Sequence, residues 1–290
     1  MHAMGPTRRI RYLFVAFAFT LFAGDGTHMK IERKSCRASD GASVVYSVFG
    51  KGEPALLFIH GGMADRTFWD AQLRAFGKHY RVIAPDLAGH GESGFHREKL
   101  TIAEFGADVK AVADAEKLRH VVMFGNSLGG PVAVEAALLM PGRVVAVVGV
   151  DTFQSLEGLP PEQMRQYAEA FRADYAGNVN KMVKSLFHPD ADAAIMADAE
   201  RRMLKTSPET AYALFQGLAG YTPAPSVRRL NVPLRAINGD LYPTNVETIR
   251  KTFADFDVIV MKHMGHYPML ERPDEFNTHV AEVVAALSKK

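Results

Sequence analysis

In "MFGNSLGGPV", Met123 to Val132, a serine stands between glycines directly after an apolar run. Packed in a core, Ser127 would add little burial and would leave a hydroxyl in need of a partner. The stretch makes sense as a sharp turn from a strand, Val121–Phe124, into a helix, Leu128–Met140, with Gly125 and Gly129 placed where a side chain would not fit. Such a turn lifts the hydroxyl out of a sheet and leaves it at a helix N-terminus, where negative charge is favoured. The bare Gly-x-Ser-x-Gly pattern is a weak signal. Its setting between strand and helix makes it a candidate nucleophile.

A serine hydroxyl reacts slowly near neutral pH unless a base takes its proton. Of the eleven histidines, His266 in "KHMGHYPMLERPDEF" follows the last apolar run and precedes the final helix, where a loop can reach over strand ends. His263, three residues earlier, is the competitor; Gly265 and the Pro268, Glu271, Pro273 run favour His266. The two also form an H-x-x-H pair, but no third ligand is spaced for zinc, so no metal is expected. A base of this kind must be oriented by a carboxylate. Asp240 in "RAINGDLYPTN" is the expected partner, in the chain order serine, aspartate, histidine; Asp151 in "VVGVDTF" is the alternative.

Charge developing on a carbonyl oxygen needs preset donors. The backbone N–H of Leu128, next after the serine, is one. The other is expected from "HGGM", His60 to Met63: Gly62 by preference, Met63 otherwise, with His60 fixing the loop. Asp151, Phe153 and Trp69 lie close enough in sequence to these turns to contact a substrate. Met164, Phe171, Met182, Phe187, Met203 and Phe215 could line an acyl pocket, although at helical spacing such residues more often form a core.

Short apolar runs must carry these residues. Ala55–Ile59, Arg81–Ala84, Val121–Phe124, Val144–Val150, Leu234–Ile237 and Val258–Met261 read as strands buried on both faces, and the alternating Val44–Phe49 reads as a further strand. Between them lie helical stretches at Phe68–Phe76, Ile102–Lys117, Leu128–Met140, Asn245–Phe253 and Asp274–Leu287. Strand and helix in alternation predict an open α/β sheet. One connection breaks the rhythm. From Val150 to Leu234 the chain reads as amphipathic helices near Pro161–Tyr175, Val179–Phe187, Ala191–Leu204 and Pro208–Leu218, a helical cap rather than a loop.

Composition limits the partners. Three of the 34 basic residues and one of the 32 acidic ones lie in residues 1–28, so the remainder carries 31 of each. A neutral body gives no electrostatic case for nucleic acid. The single cysteine, Cys36, rules out an intrachain disulfide. "RRIRYLFVAFAFTLFAG" has the basic-then-apolar order of a secretory leader and is short for a membrane span. It predicts a periplasmic or secreted protein with no stable membrane partner unless the leader is retained; a start at Met29 would make it cytoplasmic.

Taken together, "HGG", "DLAGHGES" (Asp86 to Ser93), "GNSLGG" and "GHYPMLERP" resemble the α/β-hydrolase superfamily in order and approximate spacing, across nearly all of Lys30–Lys290. The resemblance implies an α/β-hydrolase fold: a mostly parallel sheet of about eight strands flanked by helices, with a helical cap inserted after strand 6 and no cofactor. The core would comprise residues 29–152 and 224–290, and the cap 153–223. The Asp86–Ser93 segment would be structural. One position departs from the family: the acid usually stands three residues after the glycine ending its strand, where this chain has Tyr242. Serine at the elbow, where dehalogenases and epoxide hydrolases of the family carry aspartate, points to acyl chemistry. The expected function is a serine hydrolase of small to medium carboxylic esters. Lactone, carbon–carbon or perhydrolase chemistry on the same residues, and a non-catalytic binding protein on the same fold, are the alternatives.

Overall fold

The computed structural model describes residues 30–158 and 160–287; the leader expected in residues 1–28 lies outside them. Eight strands form one sheet: β1 (Glu32–Arg37), β2 (Ser43–Phe49), β3 (Ala55–Ile59), β4 (Val82–Pro85), β5 (Val121–Asn126), β6 (Val144–Val150), β7 (Leu234–Asn238) and β8 (Phe256–Val260). Their spatial order is β1-β2-β4-β3-β5-β6-β7-β8. Strand β2 runs antiparallel to both its neighbours, and every pairing from β4 to β8 is parallel. Every residue of β3, β4 and β5 is buried, as continuous apolar runs require when helices cover both faces.

Eleven α-helices fill the connections among the described residues. Before the cap come α1 (Asp70–Phe76), α2 (Ile102–Ala115) and α3 (Gly129–Leu138). Between β6 and β7, in the segment expected to form a cap and so called below, come α4 (Pro161–Ala173), α5 (Tyr175–Leu186), α6 (Ala193–Met203) and α7 (Pro208–Leu218). The short α8 (Ala224–Arg229) leads into β7; α9 (Val246–Thr252), α10 (Pro268–Glu271) and α11 (Pro273–Leu287) complete the chain. Helices α1 and α11 pack together, as do α2 and α3, giving the sheet its two flanking layers. No helix among the described residues is long and apolar enough to cross a membrane.

The sequence missed β1, and its composition explains why. Glu32–Arg37 is largely polar, and none of its residues is fully buried, because it is an edge strand paired only with β2. Its hydrogen bonds, not an apolar face, make it a strand.

The cap is tied to the core at several points. Leu100 N–H donates to Ala213 O at 3.3 Å, and a side chain at Gly217 would run into the Leu100 backbone. Thr206 Oγ1 donates to Met63 O at 3.1 Å, and Arg202 Nη1 to Thr67 O at 3.3 Å. Met164, Phe171, Phe187 and Met203 are buried, with the Phe171 and Phe215 rings 4.9 Å apart. Phe171 and Phe215 thus pack within these helices, while Phe187, with its ring 5.2 Å from that of Tyr267, and Met203, with its sulfur 3.9 Å from the Tyr267 hydroxyl, pack against the core beside His266.

Candidate active site

Strand β5 ends at Asn126 and α3 begins at Gly129, so the chain reverses direction within Ser127 and Leu128. Ser127 has φ of 51°, a left-handed conformation that costs a non-glycine residue energy and is held here by its surroundings. Its N–H donates to Val150 O at 3.0 Å, and its carbonyl accepts from Gly130 N–H at 3.0 Å. The flanking glycines are obligatory. A Cβ at Gly125 would lie 2.0 Å from Gly129 O, and one at Gly129 would lie 2.5 Å from Ile59 O. Gly125→Ala must push strand and helix apart, and a loss of about 3 kcal/mol or more is expected from such overpacking. Chemical denaturation measures it; a variant as stable as wild type would show that the elbow is looser than this packing.

The loop after β3 runs beside the elbow. A Cβ at Gly61 would stand 3.3 Å from the Ser127 Cβ, and Met63 is left-handed with φ of 60°. Among the described residues, the backbone N–H groups of Gly62, Met63 and Leu128 have no hydrogen-bond acceptor. Amides in this state beside a serine hydroxyl can receive a developing oxyanion. His60 has the loop-fixing position expected of it. Its Nδ1 faces Gly61 O at 2.7 Å and its Nε2 accepts from Leu87 N–H at 2.9 Å, while complete burial pushes its pKa down to about 4. The imidazole is therefore neutral and structural at ordinary pH. Asp86 of the "DLAGHGES" segment accepts the N–H groups of Arg66 and Glu92, holding the neighbouring loops together.

His266 is carried into place by the connection between β8 and α10. Asn126 holds it there: its Nδ2 donates to both Val150 O and His266 O, each at 3.0 Å, joining the end of β5 to the end of β6 and to the histidine's own carbonyl. The Ser127 hydroxyl and the His266 ring are not hydrogen-bonded to each other in this structure. Bonds of that kind commonly tighten only when substrate is bound. His263 turns the other way. Its ring meets His188 of the cap edge-on at 5.6 Å, and with Asp190 these residues bring ligand-type atoms within 4.8 Å of one another. His188 Nδ1 already accepts from Asp190 N–H at 3.2 Å, so the cluster is hydrogen-bonded in itself.

The carboxylate facing His266 is Asp151, and the expectation for Asp240 is corrected. His266 Nδ1 lies 2.5 Å from Asp151 Oδ2, and the other oxygen of that carboxylate accepts from Gly239 N–H at 2.9 Å. Asp151 is buried and left-handed, with φ of 43°, at the first position beyond β6. Asp240 instead accepts from Met264 N–H at 3.2 Å and lies 3.8 Å from the Lys262 ammonium. It ties down the backbone before His266 without reaching the ring. Gly239 is needed here too, since a Cβ would sit 2.4 Å from Met264 O. The β7 end and the histidine loop thus pass in near backbone contact.

Two expected substrate contacts are also corrected. Trp69 is wholly buried, with its ring 5.0 Å from Phe58 and 6.1 Å from Phe276, so it belongs to the core under α11. Phe153 is buried against the positions of Gly130 and Gly149, where added Cβ atoms would meet its ring within 3.1 Å. It braces β6 against α3. Two residues of the site were given no role of their own by the sequence: Asn126, and Glu271, which counted only as part of the run beside His266 and whose carboxylate accepts the N–H groups of Gly265 and Tyr267. For Asn126 the signal was a large amide ending an otherwise apolar strand. For Glu271 it was an acid in a proline-punctuated loop close to the histidine.

With this geometry in hand, comparison with known proteins is informative. Residues 56–279 match the model of the alpha/beta hydrolase family. The chain is 24% identical over 258 residues to a pimeloyl-[acyl-carrier protein] methyl ester esterase of Nitrosospira multiformis, spanning 82% of this chain and 97% of that protein. Among solved structures, a thermophilic esterase from Thermogutta terrifontis superimposes with a TM-score of 0.79 at 24% identity, over 89% of this chain and 99% of the other. Est816, an N-acyl homoserine lactone degrading enzyme, does so with a TM-score of 0.75 at 25% identity, over 86% and 99% of the two chains.

Proposed function

The chain belongs to the α/β-hydrolase family, and on that premise we propose that it is a serine hydrolase of small to medium carboxylic esters working through an acyl-enzyme. One observation carries the reading: the imidazole of His266 faces a buried carboxylate, Asp151, while its backbone is tied to Asn126, the last residue of the strand that leads into Ser127. Ester-cleaving relatives and structural neighbours support the same class.

The steps follow from the residue roles. Ser127 Oγ attacks the acyl carbon and its proton passes to His266 Nε2. The resulting imidazolium keeps its Nδ1–H on Asp151, which holds the ring and offsets its charge. The N–H groups of Leu128 and Gly62, with Met63 as the neighbouring donor, stabilise the oxyanion. As the tetrahedral intermediate collapses, the acyl C–O bond breaks and His266 gives its proton to the leaving alcohol. Water then attacks the acyl-serine, giving its proton to His266, and the collapse returns that proton to Ser127 as the carboxylic acid departs.

The cap argues for a restricted acyl group. A Cβ at Gly62 would stand 3.1 Å from Leu214 Cδ2 of α7, so the cap closes directly over the proposed oxyanion loop. A fluorophosphonate probe should label Ser127 stoichiometrically. Of a panel of esters graded in acyl length, with a homoserine lactone and a vinylogous ketone beside them, the short esters should turn over fastest. Preference for the lactone would move the substrate to a cyclic ester with the same chemistry. Labelling without turnover on any member would sink the esterase reading, and absence of both would favour a binding protein.

A further inference from the structure

Three consecutive peptide N–H groups carry the proposed base, and one carboxylate receives two of them. Glu271, the last residue of α10, accepts from Tyr267 N–H at 3.2 Å on Oε1 and from Gly265 N–H at 3.3 Å on Oε2. Between these, His266 N–H donates to Leu186 O, the last residue of cap helix α5, at 2.7 Å. The backbone N–H of His188, two residues further along the cap, lies close by and favours the ionised form of the Glu271 carboxyl. The three segments pack without slack: a Cβ at Gly265 would stand 2.6 Å from His188 N, 2.7 Å from Leu186 O and 2.8 Å from Glu271 Oε1.

We propose that Glu271 is a positioning residue, a carboxylate clamp that fixes the backbone on both sides of His266 and joins it to the cap, an inference that rests on the serine-hydrolase reading above. An ionised carboxylate suits this role best, because both its oxygens are acceptor-only and each receives one of the two N–H groups, whereas an amide would set a donating NH2 against one of them. Burial pushes the Glu271 carboxyl above its ordinary value, and the nearby Asp151 charge adds to the effect. As pH falls through that raised value, the clamp gains a proton, loses acceptor capacity and loosens. Holding the base in this way is worth activity, because a misplacement on the order of 1 Å can cost about 10²-fold in rate.

The test compares wild type, Glu271→Gln and Glu271→Asp on a short acyl ester, with Tyr242→Phe as control. Tyr242 is exposed and makes a separate bond to the same helix, α5, its hydroxyl donating to Ser185 O at 2.8 Å. Glu271→Gln should lower kcat about 10²-fold with little change in KM, Glu271→Asp should recover part of that loss, and Tyr242→Phe should keep wild-type kcat. The acid limb of the kcat profile should lose one proton's steepness in Glu271→Gln. Hydrogen exchange supplies a readout independent of turnover: the Gly265 and Tyr267 amides should exchange about 10-fold faster in Glu271→Gln than in wild type, the loss of roughly one hydrogen bond. Unchanged protection of those amides overturns the clamp even if no ester is ever cleaved. So does a Glu271→Gln variant with wild-type kcat and a lowered Tm, which would leave Glu271 with stability alone. Should Glu271→Gln fail to fold, Glu271→Asp is read by the same two criteria.

Discussion

Ser127→Ala is expected to abolish ester turnover, lowering kcat at least about 10³-fold, while Tm stays near that of wild type. Both halves come from the same geometry. The substitution keeps Cβ, so the left-handed backbone at φ of 51° is strained to the same degree in both proteins. No group among the described residues is hydrogen-bonded to the serine hydroxyl, so its removal orphans no buried partner. What disappears is the one atom that can bond covalently to the acyl carbon. Residual rate would come from the N–H groups of the oxyanion loop and from His266 acting on water. The measurement is kcat on the best ester of the panel, beside a thermal melt. A folded variant within ten-fold of wild type would remove Ser127 from the mechanism and leave His266 and Asp151 as general-base machinery for water.

The elbow was readable because its chemistry and its packing demand the same residues. Glycine at 125 and 129 is forced because an added Cβ would lie 2.0 and 2.5 Å from backbone oxygens, and such constraints leave a local signature in sequence. The central strands were readable for a similar reason: burial on both faces leaves no polar positions to blur the run. Where contacts are made across the sheet, local sequence says little. Asp151 and Asp240 both follow apolar runs, and their strands are neighbours paired in register, Val150 opposite Ile237. Which carboxylate meets the imidazole depends on where the β8–α10 loop lands, and that is set by Asn126, at the end of β5, and Gly239, just beyond β7. The one local hint was Tyr242 at the family's usual acid position. The edge strand β1 escaped for the opposite reason, having polar residues and a single partner. Trp69 was misplaced because a tryptophan near a substrate loop and one beneath it look alike until Phe58 and Phe276 are seen to enclose the ring.

Asp151→Asn should cost up to about 10⁴-fold in kcat, and Asp240→Asn only a few-fold, on the same ester. Asparagine at 151 preserves the shape, and its Oδ1 can still accept from Gly239 N–H, so the fold has no reason to change. Its amide nitrogen, however, would point at His266 Nδ1. An N–H there forces Nδ1 to accept, which places the ring proton on Nε2, the atom that must take the serine proton. The base would be present, aligned and in the wrong tautomer. Asparagine also withdraws the negative charge that stabilises the imidazolium in both halves of the cycle; a 10⁴-fold loss corresponds to about 5.5 kcal/mol of transition-state stabilisation. Asp240→Asn keeps an oxygen for Met264 N–H and gives up only the 3.8 Å approach of the exposed Lys262 ammonium, a contact of the kind worth about 1 kcal/mol or less. The double variant separates direct action from substitution: if Asp240 replaces a missing Asp151 by a shift of the Gly239–Asp240 turn, Asp151→Asn/Asp240→Asn will fall well below Asp151→Asn alone. Equality of the two means that the acid is Asp151 and nothing else reaches the ring. An active Asp151→Asn beside an inactive Asp240→Asn would instead require the histidine loop to turn toward β7 in the working enzyme, breaking the Asn126 bond to His266 O on the way.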